Sequence, residues 1–192
     1  EGAWLVKFRH TYDPKDIGRM EYKYNEVARK CGINVPDYKL LDGKYFASKR
    51  FDIENGKRLH IATAGALLNE SISNPKLDYK VLLHLTGYLT QDSQQVDEMF
   101  QRMVFNVLTD NKDDHVKNFS FICREGKWSL APAYDLTLCK EGYHGEHATS
   151  ANNKGNPDIE DMLAVGESIR IPRRKGMEII NHMINHCQEI LS

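Results

Sequence analysis

The sequence of 192 residues predicts an α+β fold, with strands in an N-terminal part at residues 1–55 and mostly helices at residues 56–192. Segments rich in β-branched and aromatic residues cluster in the first part, whereas apolar residues at helical spacing dominate the second. A run of strands followed by a run of helices is typical of α+β proteins. The chain is long enough to bury a core, as one domain or as one lobe and a half.

The N-terminal part opens with a predicted strand and a predicted helix. Residues 3–10 favour a strand because they combine aromatic and β-branched side chains. Asp13 and Pro14 predict the start of a helix, with Asp as its cap and Pro in its first turn, and Gly32 predicts its end. Apolar residues at helical spacing lie between these signals: Ile17, Met20, Tyr24, Val27, Ala28 and Cys31.

A β-hairpin is predicted next. The Asp42-Gly43 pair favours a tight turn between strands at residues 38–41 and 44–51, because both residue types tolerate a positive φ. The polar stretch Glu54-Asn55-Gly56 then predicts a break before the helical part.

The second part is predicted to contain one hairpin and several helices. Residues 119–131 favour the hairpin, and residues 139–157, rich in Gly, Asn, His and Lys, predict a mobile loop. Hydrophobic periodicity predicts helices at residues 61–69, 78–90, 92–110, 158–166 and 173–191.

The composition argues against several classes of protein. A formal net charge of −1 provides no overall attraction to nucleic acids or membranes, and residues 171–175 are the only candidate basic run. No apolar run approaches the ~20 residues that span a bilayer. The cysteines lack metal-binding spacing and are predicted to be reduced, buried thiols: Cys31, Cys123, Cys139 and Cys187. We therefore predict a cytoplasmic protein without a membrane partner.

Residues 111–118 carry the strongest functional signal. This acidic segment, Asn-Lys-Asp-Asp-His-Val-Lys-Asn, follows a predicted amphipathic helix and precedes a hairpin that leads to Asp135. Asp113 and Asn118 have the five-residue spacing of the H-R-D-x-x-x-x-N loop of kinases, whereas Asp114 is one position too close to Asn118. A second Asp beyond a short hairpin completes the layout of a phosphoryl-transfer site.

This layout predicts a role for each side chain. Asp113 is predicted to be the catalytic base, and Asn118 and Asp135 are predicted to hold Mg²⁺, which prefers oxygen ligands. His115 lies two residues after the base, where many protein kinases place a Lys that steadies the γ-phosphate, and is predicted to be catalytic.

Nucleotide binding is predicted to involve the first strand and the first helix. Lys7, in Leu-Val-Lys-Phe, resembles the V-A-I-K lysine that contacts the α- and β-phosphates, and Glu21 on the following helix is predicted to pair with it. The other predicted nucleotide contacts lie at the end of the first hairpin, where a kinase hinge would be, and beside the metal ligands: Lys49, Arg50, Phe51, Lys117 and Tyr134.

Six stretches of the chain together resemble the HipA family. They are LVKF (5–8), NEVARKCGINVP (25–36), KRFD (49–52), RMVFNVL (102–108), DDHVKN (113–118) and LAPAYDL (130–136). Members of that family are bacterial toxin serine/threonine kinases of type II toxin–antitoxin modules. The resemblance implies a protein-kinase-like, HipA-like fold, with residues 1–55 as the remnant of the N-terminal lobe. Residues 56–192 would form the helical lobe that carries the catalytic loop and the metal-binding hairpin.

The same resemblance implies ATP and Mg²⁺ as cofactors and a protein Ser or Thr as the phosphate acceptor. In the best-known members the substrate is an aminoacyl-tRNA synthetase. It also implies a helix-turn-helix antitoxin as partner, with DNA bound only through the antitoxin complex. Family members carry an N-terminal subdomain and a phosphate loop upstream of the LVKF strand, and neither precedes Lys7 here. We therefore expect this chain to be a fragment or a truncated form.

Three other functions remain open at the level of sequence. A small-molecule kinase of the aminoglycoside type shares the loop layout, and a degenerate kinase lobe could serve only to bind an antitoxin or DNA. A metal phosphoesterase could be built on the cluster of Asp110, Asp113, Asp114 and His115.

Overall fold

The computed structural model describes residues 2–71 and 77–191 of the chain. Residue 1 of the predicted N-terminal part and residues 72–76 and 192 of the predicted helical part lie outside the described residues. The described elements are, in order, β1 (Trp4–Val6), α1 (Ile17–Lys30), β2 (Tyr38–Leu41), β3 (Tyr45–Lys49), β4 (Ile53–Glu54), β5 (Lys57–Arg58), β6 (His60–Thr63), α2 (Ala64–Leu68), α3 (Tyr79–Thr90), α4 (Ser93–Leu108), β7 (Ser120–Arg124), β8 (Lys127–Leu130), α5 (Ile159–Ser168) and α6 (Arg173–Leu191).

The N-terminal sheet is antiparallel, with strand order β1-β3-β2. The predicted hairpin is confirmed, since Leu41 pairs with Tyr45 across the Asp-Gly turn. The first strand is shorter than the predicted residues 3–10, because regular pairing with β3 extends only over Trp4–Val6. One further backbone hydrogen bond, from Lys7 N to Phe46 O, holds Lys7 against the sheet at 2.9 Å.

Helix α1 packs against the turn of this hairpin through Gly18. A Cβ on Gly18 would lie 2.0 Å from the carbonyl oxygen of Lys44, so this contact requires glycine. The predicted cap at Asp13 is wrong, since the helix begins at Ile17 with Asp16 in the cap position. The Asp13 carboxylate instead accepts a hydrogen bond from His10 N at 2.7 Å, which stabilises a turn before the helix.

A second sheet has the order β6-β7-β8 and contains the predicted hairpin of residues 119–131. The predicted helix at residues 61–69 is wrong in its first half. His60–Thr63 forms strand β6 and pairs with β7, and only Ala64–Leu68 is helical. Local propensity missed this strand because its partner is about 60 residues away in the chain. The small β4–β5 hairpin at residues 53–58 also replaces the predicted break.

The helical part buries the core. The helices predicted from residue 78 onward are confirmed to within two residues at each end as α3, α4, α5 and α6. Burying one large apolar side chain contributes about 1.5–3 kcal/mol. Several such side chains belong to α4, so the core fixes this helix directly before the acidic segment. Fully buried side chains from α1, α3, α4 and β7 form its centre: Tyr24, Leu82, Leu83, Met99, Phe100, Met103, Phe105 and Phe121.

Two further predictions concern the state of the cysteines and the presence of membrane-spanning helices. All four cysteines are free thiols, and the prediction of burial holds for Cys31 and Cys187 but not for the partly exposed Cys123 and Cys139. Within the described residues, every helix is too short or too polar to cross a lipid bilayer.

Candidate functional site

The acidic segment begins where α4 ends. Asp110 adopts a left-handed conformation with φ of 52°, which ends the helix and turns the chain. Asn111 then bonds back to Asn106 twice, from N to the carbonyl oxygen at 3.0 Å and from Nδ2 to Oδ1 at 2.9 Å. Because the core fixes α4, these bonds fix the start of the acidic segment.

Asp113 faces an open groove, with 59% of its side chain exposed. Its backbone carbonyl accepts a 2.7 Å hydrogen bond from Asn118 Nδ2, and its Oδ1 lies 3.8 Å from His115 Nε2. Partial desolvation raises the pKa of Asp113, the carboxylates of Asp114 and Asp135 add to this shift, and His115 opposes it. This carboxylate is therefore accessible and more basic than an ordinary surface Asp.

Lys7, Glu21 and Asp135 form a charged cluster that lines the same groove. Lys7 Nζ lies 3.2 Å from Glu21 Oε2 and also contacts the Asp135 carboxylate. Burial alone would lower the pKa of Lys7, but the two carboxylates outweigh it and raise the pKa. For Glu21, burial raises the pKa and Lys7 opposes the shift. Asp135 has a φ of 54°, a strained left-handed conformation that often marks functional positions.

A cavity of about 450 Å³ opens beside Lys7, between the end of β3 and Tyr134. This volume falls within the range of small-molecule and cofactor sites. The rings of Phe51 and Tyr134 stack on one wall, with centroids 5.6 Å apart and an interplanar angle of 29°. Tyr134 is held in place by a hydrogen bond from its hydroxyl to the carbonyl oxygen of Lys117 at 2.5 Å.

A second cavity of about 470 Å³ is the groove below Asp113, and it shares Lys7, Tyr134 and Asp135 with the first. Every predicted site residue lines one of these two adjoining cavities. The first contains Lys49, Arg50 and Phe51 in addition to the shared residues. The groove contains the rest of the predicted set: Glu21, Asp113, His115, Lys117 and Asn118.

Two of the predicted cations are turned toward acidic neighbours. Lys49 Nζ lies 3.6 Å from Asp37 Oδ2, and Arg50 Nε donates to Asp52 Oδ1 at 2.9 Å. Both side chains remain at the wall of the first cavity. Their charges are therefore partly compensated before any ligand binds.

Asp114 and His147 form a buried contact that no pattern in the sequence predicted. The Asp114 side chain is fully buried and lies 2.9 Å from His147 Nδ1. Residues 139–157 lack helices and strands, as predicted, but hydrogen bonds fasten their middle part to the acidic segment. The residues next to Asp114 or His147 do not predict this contact, because 33 residues separate the two in the chain.

The geometry argues against a phosphoesterase cluster. Asp114 points into the interior. Asp110 lines a different depression, and Asp113 is not among the residues that line it. Among the described residues, no group of three or more His, Cys, Asp or Glu side chains could hold a metal ion. The four residues of that alternative therefore do not converge on one site.

Comparisons with known proteins agree with this architecture. HipA of Shewanella oneidensis MR-1, solved with HipB and operator DNA, superposes with a TM-score of 0.80 at 20% identity, covering 98% of this chain and 51% of HipA. The proinflammatory kinase CtkA of Helicobacter pylori superposes with a TM-score of 0.58 at 14% identity, covering 98% of this chain and 87% of CtkA. At these identities the likeness shows the fold, which is protein-kinase-like.

A sequence relative is the candidate kinase Y4dM of Sinorhizobium fredii, which is 27% identical over 169 residues. That match covers 79% of this chain and 41% of Y4dM, so the chain spans about half the length of HipA and less of Y4dM. The family model of the HipA-like C-terminal domain matches residues 1–191. The chain therefore belongs to the family of HipA-like C-terminal domains.

Proposed function

We propose that this chain is the catalytic part of an ATP-dependent serine/threonine protein kinase that transfers the γ-phosphoryl group of ATP. The observation that carries the proposal is the convergence of Lys7, Asp113 and Asp135 on two adjoining cavities. Phosphoryl transfer requires a cation on the phosphates, metal ligands and a carboxylate that orients the attacking hydroxyl. In this proposal residues 1–55 are the remaining part of the N-terminal lobe and residues 56–192 form the C-terminal lobe.

The first cavity would receive the nucleoside. Its wall of stacked Phe51 and Tyr134 offers an apolar surface for adenine, and the chain from Lys49 to Phe51 borders it as a hinge. Lys7 would contact the α- and β-phosphates where the cavity meets the groove. Glu21 would orient the Lys7 ammonium, which it already approaches to 3.2 Å.

The groove residues suit Mg²⁺, which binds proteins through few oxygen ligands and keeps several waters. Asn118 and Asp135 would hold the ion. The Asn118 side-chain amide donates through Nδ2 to Asp113 O, and its Oδ1 would be the ligand. Two buried polar atoms of groove residues, His115 Nδ1 and Thr137 Oγ1, lack hydrogen-bond partners in the part of the chain that the structure describes. Unsatisfied polar atoms at a groove favour a polar ligand there. When bound, Mg²⁺ neutralises charge on the phosphate oxygens.

Asp113 would orient the acceptor hydroxyl and receive its proton. Its carboxylate is exposed to the groove, and its raised pKa favours proton acceptance more than an ordinary Asp would. His115, whose Nε2 lies 3.8 Å from Asp113 Oδ1, and Lys117 also line the groove and would contact the transferring phosphate.

The partners follow from the family and are part of the same proposal. The substrate would be a protein Ser or Thr, with an aminoacyl-tRNA synthetase as the family precedent. The solved HipA complex contains HipB and operator DNA, which supports an antitoxin partner and DNA contact through it for the intact protein. Action in the cytoplasm would follow from such a module.

Asp113→Asn in the intact protein tests the proposal. We expect phosphate transfer to be lost, because a carboxamide cannot accept the proton, while ATP affinity and thermal stability are unchanged. Asp16→Asn is a suitable control, since Asp16 is exposed, makes no capping hydrogen bond and lines a separate depression. Retained transfer in Asp113→Asn would remove the assignment. Absence of ATP–Mg²⁺ binding to the wild type, measured by isothermal titration, would favour a non-catalytic binding module instead.

A further inference from the structure

Asp114, next to the proposed base, has a fully buried carboxylate, and three groups form hydrogen bonds to its oxygens. The Tyr79 hydroxyl donates to Oδ2 at 2.7 Å, and His147 Nδ1 lies 2.9 Å from the same oxygen. The backbone N–H of Thr149 donates to Oδ1 at 3.2 Å. A buried carboxylate is expensive to desolvate, and an apolar residue is often at least as stabilising in such a place. The position of this charge therefore calls for a functional explanation.

Two of the three partners of Asp114, His147 and Thr149, come from one stretch, which we call the strap (residues 139–153). The strap contacts the backbone of the acidic segment at three points. Lys112 N donates to Cys139 O at 3.0 Å, and Ala148 N donates to Lys112 O at 3.1 Å. The Thr149 hydroxyl donates to the carbonyl oxygen of Asp114 at 2.5 Å. The strap thus bonds to the backbone of Lys112 and of Asp114, the residues directly before and after the proposed base.

The far end of the strap is anchored independently, at the start of α3. Asp78 Oδ2 accepts hydrogen bonds from Ser150 Oγ and from Asn153 N, both at 2.7 Å. Tyr79 N donates to Ser150 O at 2.8 Å. Because α3 is part of the core, the strap transmits the position of the core to the acidic segment.

These contacts determine the direction of the Asp113 side chain. The peptide group before Asp113 is held through Lys112 O by Ala148 N, and the one after it is held through Asp113 O by Asn118 Nδ2. Fixing both peptide groups fixes φ and ψ of Asp113, and with them the direction of its Cα–Cβ bond. The carboxylate itself is held only loosely, since His115 Nε2 is 3.8 Å away. Backbone restraint therefore replaces side-chain restraint at the proposed base.

We propose that Asp114, held by His147 and Thr149 of the strap, is a positioning residue that aims Asp113 at the acceptor hydroxyl. The inference rests on the proposed kinase function and adds to it a requirement for the strap. An error of about 1 Å in a reacting group can reduce turnover by about a hundredfold. Loss of a strap contact should therefore reduce kcat without changing the nucleotide cavity, which the strap does not line.

The test compares Thr149→Val and Thr149→Ser in the intact protein, with kcat, KM for ATP, ATP affinity by titration and thermal stability as readouts. Thr149→Val keeps the shape but removes the hydroxyl that holds Asp114 O. We expect kcat to fall at least about tenfold while KM and ATP affinity stay within about twofold. Thr149→Ser keeps the hydroxyl and should restore kcat.

Thr86→Val is the matched control, because this buried Thr hydroxyl donates to the carbonyl oxygen of Leu82 within α3, outside the strap and the acidic segment. It should leave kcat unchanged, whatever its effect on stability. A parallel loss of kcat in Thr86→Val, or an unaffected kcat in Thr149→Val, would overturn the positioning role. If Thr149→Val does not fold, His147→Asn, which keeps a donor near the Nδ1 position, and His147→Leu, which removes it, make the same comparison. A wild type that neither binds ATP nor transfers phosphate would overturn the proposed function together with the inference.

Discussion

The Lys7 ammonium contacts the Asp135 carboxylate directly, although 128 residues separate them in the chain. In the proposed mechanism these groups bind different partners, the phosphates and the metal ion. Binding of the nucleotide and of the metal ion must therefore break the contact between Lys7 and Asp135. Lys7 keeps a second carboxylate, Glu21, which holds the ammonium at the groove when Asp135 is released.

Lys7→Met should change the affinities for ATP and for Mg²⁺ in opposite directions. ATP affinity should fall at least about tenfold, because a charged hydrogen bond contributes about 1.5–3 kcal/mol. Affinity for Mg²⁺ without nucleotide should rise, because Asp135 is freed from its cation. Isothermal titration measures both, and Lys15→Met, at an exposed position outside both cavities, is the control. Unchanged ATP affinity would contradict the assignment of Lys7.

Substitutions of Asp135 should separate backbone strain from metal binding. Its φ of 54° is tolerated by Asn but costs Ala about 1–2 kcal/mol. Asp135→Asn and Asp135→Ala should both lose Mg²⁺-dependent ATP binding, and Asp135→Ala should also be less stable than Asp135→Asn by about 1 kcal/mol. Urea unfolding measures the difference. Equal stability of the two variants would show that the backbone relaxes at this position.

Gly18→Ala should destabilise the protein and weaken the Lys7–Glu21 pair. The new methyl group would lie 2.0 Å from the Lys44 carbonyl oxygen, so α1 must move away from the hairpin. Such overpacking costs about 1–3 kcal/mol, and the displacement should also reduce ATP affinity. In the control Gly87→Ala, the added Cβ in α3 would be 3.4 Å from Val96 Cγ2, and the helix should gain stability slightly. Equal stability of the two variants would be inconsistent with the close packing of α1.

Asp161 should make folding stability depend on pH. Hydrogen bonds from Asn152 Nδ2 and Asp158 N, together with Lys154, lower its pKa below the ordinary value. Because the folded-state pKa is lower than the unfolded-state pKa, the stabilisation is complete above about pH 4 and is lost as the pH falls through the folded-state pKa.

Asp161→Asn should therefore unfold at lower urea than the wild type at about pH 7, and the gap should shrink below about pH 4. Glu178→Gln, at an exposed position on α6, is expected to change stability by less than about 0.5 kcal/mol at either pH. A gap that stays constant with pH would mean that ionised Asp161 contributes no stability.

The sequence alone determined the elements and residues that depend on near neighbours. The Asp-Gly turn set the register of the first hairpin, and hydrophobic periodicity located α3 to α6. The spacing within residues 111–118, with Asp135 beyond a short hairpin, identified groups that line one groove. These features were predictable because turns, helices and short loops bring together residues that are close in the chain.

Only the tertiary structure decided the contacts between distant segments. It turned Asp114 away from Asp113, into a network with His147 and Thr149, and it assigned His60–Thr63 to a strand. Neither outcome has a local signature, because the partner groups come from segments more than 30 residues away. Spacing to Asn118 already favoured Asp113 over Asp114 as the base, but it gave Asp114 no role. The structure shows that Asp113 faces water and that Asp114 is held in the core, and these contacts carry the proposal that Asp114 positions the base.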